Sequence, residues 1–175
     1  MRANPGGLLS PDEVVGRDEL IARLWRILER QSLILTSERR MGKTSIIRKM
    51  AAASPSGQLA IYRDLEPLST PLEFVQIVVD DVRRYLNRSQ RTVRRVLEFL
   101  EQFGGTEVSG VIKLPDTVAT NWQTLLMRTI EDLVEHQDRT LIFLWDEMPM
   151  MLDKIKQSNG ENEAMEVLNT LRYLR

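Results

Sequence analysis

Three consecutive residues, Gly42, Lys43 and Thr44, combine the groups needed to bind a phosphorylated ligand. A glycine lets the backbone approach phosphate oxygens closely, because no Cβ stands in the way. The Lys43 ammonium can neutralise the β- and γ-phosphates of a nucleotide, and the Thr44 hydroxyl can ligate Mg²⁺. The unpaired N–H groups and the dipole of a helix N-terminus favour an anion at the same place. The triplet therefore predicts a phosphate-binding loop at the start of a helix.

The residues around this triplet support that prediction only in part. The consensus of such loops is G-x-x-x-x-G-K-[ST], and Ser37 stands where the first glycine belongs. Serine is tolerated there if its φ is negative. Gly-Lys-Thr alone is a weak signal, and an incidental helix-opening loop is the alternative. Here it follows the apolar run Leu33–Leu35 and precedes a helical pattern, which is the context the motif requires. The predicted loop residues are Ser37, Glu38, Arg39, Arg40, Met41, Gly42, Lys43, Thr44 and Ser45.

A second candidate group, Asp146-Glu147, directly follows the apolar run Leu141–Trp145. A buried strand that ends in two adjacent acids needs a reason, because burying unpaired carboxylates is costly. In a nucleotide site Asp146 can hold Mg²⁺, and Glu147 can polarise the attacking water. A solvated strand end is the alternative interpretation.

Three segments together resemble the prokaryotic AAA+/STAND-type P-loop ATPases. They are Val15-Gly16-Arg17-Asp18-Glu19-Leu20, Arg39-Arg40-Met41-Gly42-Lys43-Thr44-Ser45 and Leu144-Trp145-Asp146-Glu147-Met148-Pro149. The resemblance is to an archaeal and bacterial branch with a Gly-x-Arg-Arg-x-Gly-Lys-Thr-Ser loop, and it covers the chain from about Val14 onward. It implies ATP and Mg²⁺ as cofactors, Thr44 and Asp146 as metal ligands, and Lys43 and Glu147 as catalytic residues. It also implies that Val14, Val15, Gly16 and Arg17 line the adenine side of the pocket.

The sequence departs from that family after Glu147. The family core continues into a strand with a polar sensor residue, an arginine finger and a helical lid, and none of these is found before Arg175. In this fold class the sensor strand lies between the phosphate-loop strand and the Asp-Glu strand. We therefore expect a longer parent chain, or another segment that fills this position. We also expect the arginine to come from a partner protein or from a second copy in a homo-oligomer.

Helices alternate with short apolar strands along the chain, a pattern that predicts an α/β protein with a mostly parallel sheet. The predicted helices cover about Asp18–Arg30, with Asp18 as N-cap, then Lys43 to the Ser54–Gly57 turn, Pro71–Asn87, Ser89–Phe103, Asn121–His136 and Met165–Arg175. The predicted strands are Leu33–Leu35, Leu59–Tyr62 and Leu141–Trp145, with a hairpin at Glu107–Leu114. With the resemblance, this implies a three-layer α/β/α P-loop NTPase. Its segments would be an extension (1–13), an adenine-side and P-loop unit (14–64), a helical and hairpin insertion (65–120) and a Walker B unit (121–175).

Composition excludes several other classes of protein. Among 175 residues, 24 Lys and Arg oppose 25 Asp and Glu, so whole-chain charge favours neither nucleic acid nor membrane. Cysteine is absent, which removes disulfides and thiol catalysis. No apolar run approaches the roughly 18 residues of a membrane span, and Pro5, Gly6 and Gly7 stand where a signal peptide would place its apolar stretch. We therefore expect a cytoplasmic protein with no membrane partner.

Two other functions stay open at this point. Arg84, Arg88, Arg91 and Arg95 would share one face of an unbroken helix, which suggests a DNA-associated ATPase, although a solvated face explains the same spacing. Ser37 suggests instead a nucleotide-independent interaction module with a degenerate loop.

Overall fold

The computed structural model describes residues 10–38, 40–86, 106–108, 111–113, 121–135 and 139–174. Within these ranges the chain is a mixed α/β protein. A 3₁₀ turn at Pro11–Glu13 precedes six described α-helices, which are α1 Asp18–Leu28, α2 Lys43–Ala52, α3 Pro71–Leu86, α4 Trp122–Glu135, α5 Met148–Asn159 and α6 Glu161–Tyr173. The described strands are β1 Gln58–Asp64, β2 Thr106–Val108, β3 Val111–Lys113 and β4 Thr140–Asp146.

The chain divides into two compact units. The first contains the described residues up to Asp64 together with Arg139–Asp146, and the second contains the described residues of Leu65–Asp138 and Glu147–Leu174. The adjacent residues Asp146 and Glu147 therefore belong to different units.

A parallel pair of strands, β1 and β4, forms the sheet of the first unit. Their register runs from Gln58 opposite Thr140 to Asp64 opposite Asp146, so both strands end at the same edge. The sequence predictions of these two strands and of parallel pairing are confirmed. Two strands are a smaller sheet than a complete three-layer fold contains.

The core of the first unit lies on one face of this sheet. Its buried residues come from α1, α2, β1 and β4 and are Leu24, Trp25, Ile46, Met50, Ala60, Ile142 and Leu144. Along β4 Ile142, Leu144 and Asp146 are buried, whereas Phe143 and Trp145 on the other face are half-buried and stack with ring centroids 5.2 Å apart. The alternation fits the two-residue period of a strand, and the core places α2 against the sheet.

The predicted strand at Leu33–Leu35 is wrong. Residues 32–38 have no regular secondary structure and pair with no described strand. Leu35 packs against the core, but Ile34 is 87% exposed. The residue types suit a strand, yet a strand also needs a neighbour for its backbone N–H and C=O groups.

In the first unit, the helix bounds predicted from local sequence signals are close to the observed ones. Helix α2 runs from Lys43 to Ala52 and ends before the Ser54–Gly57 turn, as predicted. The prediction of Asp18 as the N-cap of α1 is wrong by one residue, because Arg17 is the N-cap and Asp18 is the first helical residue. An acid in the first turn still interacts favourably with the helix dipole.

The second unit contains α3 to α6. A reciprocal cap starts α3, since the Thr70 N–H donates to Glu73 Oε2 at 3.0 Å and the Glu73 N–H donates to Thr70 Oγ1 at 3.2 Å. Side chains also join α4 to α6, where Trp122 Nε1 donates to Glu163 Oε2 at 3.2 Å. The fully buried apolar residues of this unit include Leu65, Phe74, Val75, Val78, Leu125, Leu126, Met151 and Ile155.

The other predictions for this unit have mixed outcomes. The helix from Pro71, the helix near Asn121 and the antiparallel hairpin β2–β3 are confirmed. Helix α5 was not predicted, and α6 begins at Glu161 instead of Met165. The helix predicted over Ser89–Phe103 lies outside the described residues. In the described part of the chain, no helix is both long and apolar enough to cross a bilayer.

Candidate functional site

The turn into α2 has an unusual backbone. Gly42 is the N-cap of α2 and has φ +80° and ψ +23°, in the left-handed region that glycine adopts easily. Arg40, two residues earlier, is also left-handed, with φ +66°. For a residue with a side chain this conformation costs about 1–2 kcal/mol. Sharp turns of this kind gather backbone N–H groups into concave anion sites, and strain tends to collect at functional sites.

The Lys43 side chain joins the end of the loop to its beginning. Its ammonium donates a hydrogen bond of 2.8 Å to the backbone carbonyl of Ser37, so the charge is held at the loop. The Ser37 hydroxyl donates to the Glu38 carbonyl at 3.3 Å. Among the described non-glycine residues, only Arg40 and Glu147 have positive φ, so the serine at the consensus glycine position is unstrained. Ser37 therefore meets the condition under which a serine is tolerated at this position, which is that its φ is not positive.

Asp146 lies at the end of β4, in the same unit as the loop. It is only 7% exposed. Helix α2, which carries Lys43 and the half-buried Thr44, packs against both β1 and β4. A buried carboxylate thus belongs to the sheet on which the loop-bearing helix is packed, and it lies at the carboxyl edge, where ligands bind in parallel α/β sheets.

Tyr62 is a partner of Asp146 that the sequence did not reveal. Its hydroxyl lies 3.5 Å from Asp146 Oδ2, and the Arg48 guanidinium lies 5.8 Å from the centre of its ring. Burial, followed by the negative charges of Asp146 and Asp64, raises the pKa of Tyr62 to about 12. The phenol therefore stays protonated and can donate to the carboxylate. Tyr62 is opposite Leu144 in the sheet, a register that sequence patterns do not give.

Glu147, the predicted base, belongs to the second unit and is exposed. Its φ is +53°, and it is the N-cap residue of α5, where its carbonyl accepts hydrogen bonds from the Met150 and Met151 amides. A left-handed glutamate is uncommon and costs about 1–3 kcal/mol of strain. The backbone therefore turns sharply between the two adjacent acids.

The segment before α1, predicted to line the adenine side, is tied to α2. Lys49 Nζ donates to the Val14 carbonyl and to Asp18 Oδ1, both at 2.8 Å. The hydrogen bond and the charge of Lys49 lower the pKa of Asp18 below its ordinary value. Between these anchors, Val15 is 69% exposed and Gly16 has φ +73°. Arg17 is also exposed.

The available donors suit one class of metal site. No group of three or more His, Asp or Glu side chains among the described residues can hold a metal ion. Mg²⁺ is commonly held by one or two protein oxygens together with phosphates and water. Thr44 and Asp146 can supply such oxygens, and Gly42, Lys43 and the α2 amides can supply phosphate contacts. The residues present therefore fit a Mg²⁺-nucleotide.

Arg39 lies outside the described residues, as do Arg88, Arg91 and Arg95 of the arginine stripe. Arg84 is exposed in the last turn of α3.

Comparisons with protein-family models, with curated proteins and with solved structures each find no match.

Proposed function

We propose that this chain binds ATP with Mg²⁺ and acts as a P-loop ATPase or an ATP-dependent switch. One observation carries the proposal. A left-handed Gly42 starts α2 and is followed by Lys43 and Thr44, in the same unit as a parallel strand that ends in the buried Asp146. The three-layer fold and the AAA+/STAND family are parts of the same proposal, and the small parallel sheet supports its α/β class.

The site residues that belong to the first unit have distinct proposed roles. The amides at the start of α2 and the Lys43 ammonium neutralise the triphosphate. Thr44 and Asp146 hold the metal through oxygen atoms, and Tyr62 orients the Asp146 carboxylate. When bound, Mg²⁺ would supply positive charge that offsets the negative charge of the phosphates.

Hydrolysis requires two further groups. Glu147, the residue after Asp146, is the proposed base for the attacking water. The second group is a positive charge at the γ-phosphate, which we propose a partner protein or a second copy supplies. Without that arginine the chain would bind ATP and turn it over slowly, which is the behaviour of a switch.

Titration with labelled ATP in the presence of Mg²⁺ tests the proposal. We expect saturable binding by the wild-type chain and none by Lys43→Ala. Lys156→Ala is the matched control, because Lys156 is an exposed lysine whose ion pair with Glu161, at 3.1 Å, belongs to the second unit. If the wild-type chain shows no saturable binding below millimolar ATP, the chain is instead a nucleotide-independent module.

A further inference from the structure

Lys49 connects two parts of the first unit that are distant in sequence. Its ammonium is bonded to the Val14 carbonyl, 35 residues away, and to Asp18 Oδ1, 31 residues away. The Lys49 side chain is only 25% exposed, and Val14 is buried. A single cation thus holds both the beginning and the end of the short loop Val15–Arg17.

The electrostatics of both helices favour this arrangement. Lys49 lies in the last turn of α2, where the dipole attracts a positive charge, and Asp18 lies in the first turn of α1, where it attracts a negative one. Hydrogen bonds from an ionised donor are shorter and stronger than neutral ones, and both Lys49 bonds, at 2.8 Å, are of this kind. The link is therefore more than a surface ion pair, because one of its two acceptors is a carbonyl of a buried residue.

The loop held in this way has the composition of a ligand surface. Val15 exposes an apolar side chain, Gly16 adds no side chain, and the exposed Arg17 carries a guanidinium that can stack on a flat aromatic ring. Helix α2 carries the candidate phosphate loop at one end and Lys49 six residues later, about 9 Å along the helix axis. The same rigid helix therefore fixes both the phosphate loop and the Val15–Arg17 loop.

We propose that Lys49 is a positioning residue, which holds the Val15–Arg17 loop so that it contacts the nucleoside part of the bound nucleotide. The inference rests on the proposed ATP binding. It predicts that Lys49 contributes to the affinity for the base and ribose but not to the affinity for the phosphates.

Two ligands separate these contributions, ATP and inorganic tripolyphosphate, each measured by calorimetry with Mg²⁺. We expect Lys49→Met to weaken ATP binding about tenfold, as loss of a charged hydrogen bond would, and to leave tripolyphosphate binding within about twofold of wild type. Lys49→Arg keeps the cation and should restore most of the ATP affinity. Lys156→Met is the matched control and should bind both ligands as the wild type does.

Hydrogen exchange of the Val15–Arg17 amides gives a measurement that does not depend on a ligand. We expect faster exchange there in Lys49→Met and near wild-type exchange in Lys49→Arg. If Lys49→Met binds ATP as tightly as the wild type, or loses both ligands equally, the positioning role is overturned. A wild-type chain that binds no ATP overturns the proposed function and this inference together, so the two failures are distinguishable.

Discussion

Replacing Gly42 by alanine separates the cost of a left-handed backbone from the loss of a phosphate contact. Gly42 has φ +80°, and no atom of the described residues lies within 4 Å of a Cβ built there. The added methyl group therefore meets no steric obstacle within that part of the protein. Its cost is conformational, about 1–2 kcal/mol of unfolding free energy, because an L-residue disfavours the left-handed region.

Gly57 is the matched control for this substitution. Its φ is +81°, a Cβ built on it likewise meets no described atom within 4 Å, and it belongs to the first unit. Gly57→Ala should therefore lower the unfolding free energy by the same amount, within a few tenths of a kcal/mol. Gly57 lies in the turn before β1, outside the candidate site.

The two variants should differ only when ATP is added. A Cβ on Gly42 would occupy the place where the backbone approaches the phosphates, so Gly42→Ala should bind ATP at least about tenfold more weakly, a change of about 1.4 kcal/mol. Gly57→Ala should bind ATP as the wild type does. Urea unfolding measures the stabilities, and titration with labelled ATP and Mg²⁺ measures the affinities. Equal ATP affinity in variants of equal stability would refute the assignment of Gly42 to a phosphate site.

Three further predictions concern other parts of the chain. Because the pKa of Tyr62 is raised to about 12, its contribution to stability is present below pH 10 and is lost as the pH rises through 12. Absorbance at 295 nm should show a late tyrosine ionisation that is absent in Tyr62→Phe, and a late step of unchanged size in that variant contradicts the assignment. Phe74→Ala removes a side chain with 0% exposure and should cost about 3–5 kcal/mol in urea unfolding, and a loss under 1 kcal/mol would contradict that packing. Glu147→Gln should bind ATP as tightly as the wild type but release no phosphate in a hydrolysis assay. If the variant hydrolyses ATP at the wild-type rate, Glu147 is not the base.

Sequence patterns predict the parts of this fold that local physics determines. The start of α2 at Gly42-Lys43 depends on a glycine and on neighbouring residues, and β4 depends on a continuous apolar run with acids at its end. In each of these two elements, the residues that give the signal lie within a few positions of one another in the sequence. Helix α5 also has local signals, since Pro149 lies in its first turn and Gly160 ends it, and both could have been used.

Other features that sequence patterns did not predict depend on distant partners. Tyr62 approaches Asp146 across 84 residues of sequence, and Lys49 reaches back to Val14 and Asp18. No spacing rule connects such positions, because only the packed helices and the strand register bring them together. The prediction of a strand at Leu33–Leu35 is wrong for a related reason. Strand-forming residues do not by themselves supply the neighbouring strand that hydrogen bonding requires.

The departure of Ser37 from the loop consensus becomes a testable point. A glycine is favoured where φ is positive and needed where a Cβ would obstruct a ligand, and among the described loop residues the positive φ values belong to Arg40 and Gly42. Ser37 holds Lys43 through its backbone carbonyl, a group that every residue has. Ser37→Gly should therefore leave ATP affinity within about twofold of wild type while lowering the unfolding free energy by about 0.5–1 kcal/mol, because glycine gains entropy in the unfolded chain. A tenfold rise in ATP affinity in the same titration would show instead that the serine side chain obstructs the site, and that the consensus glycine is needed there for space.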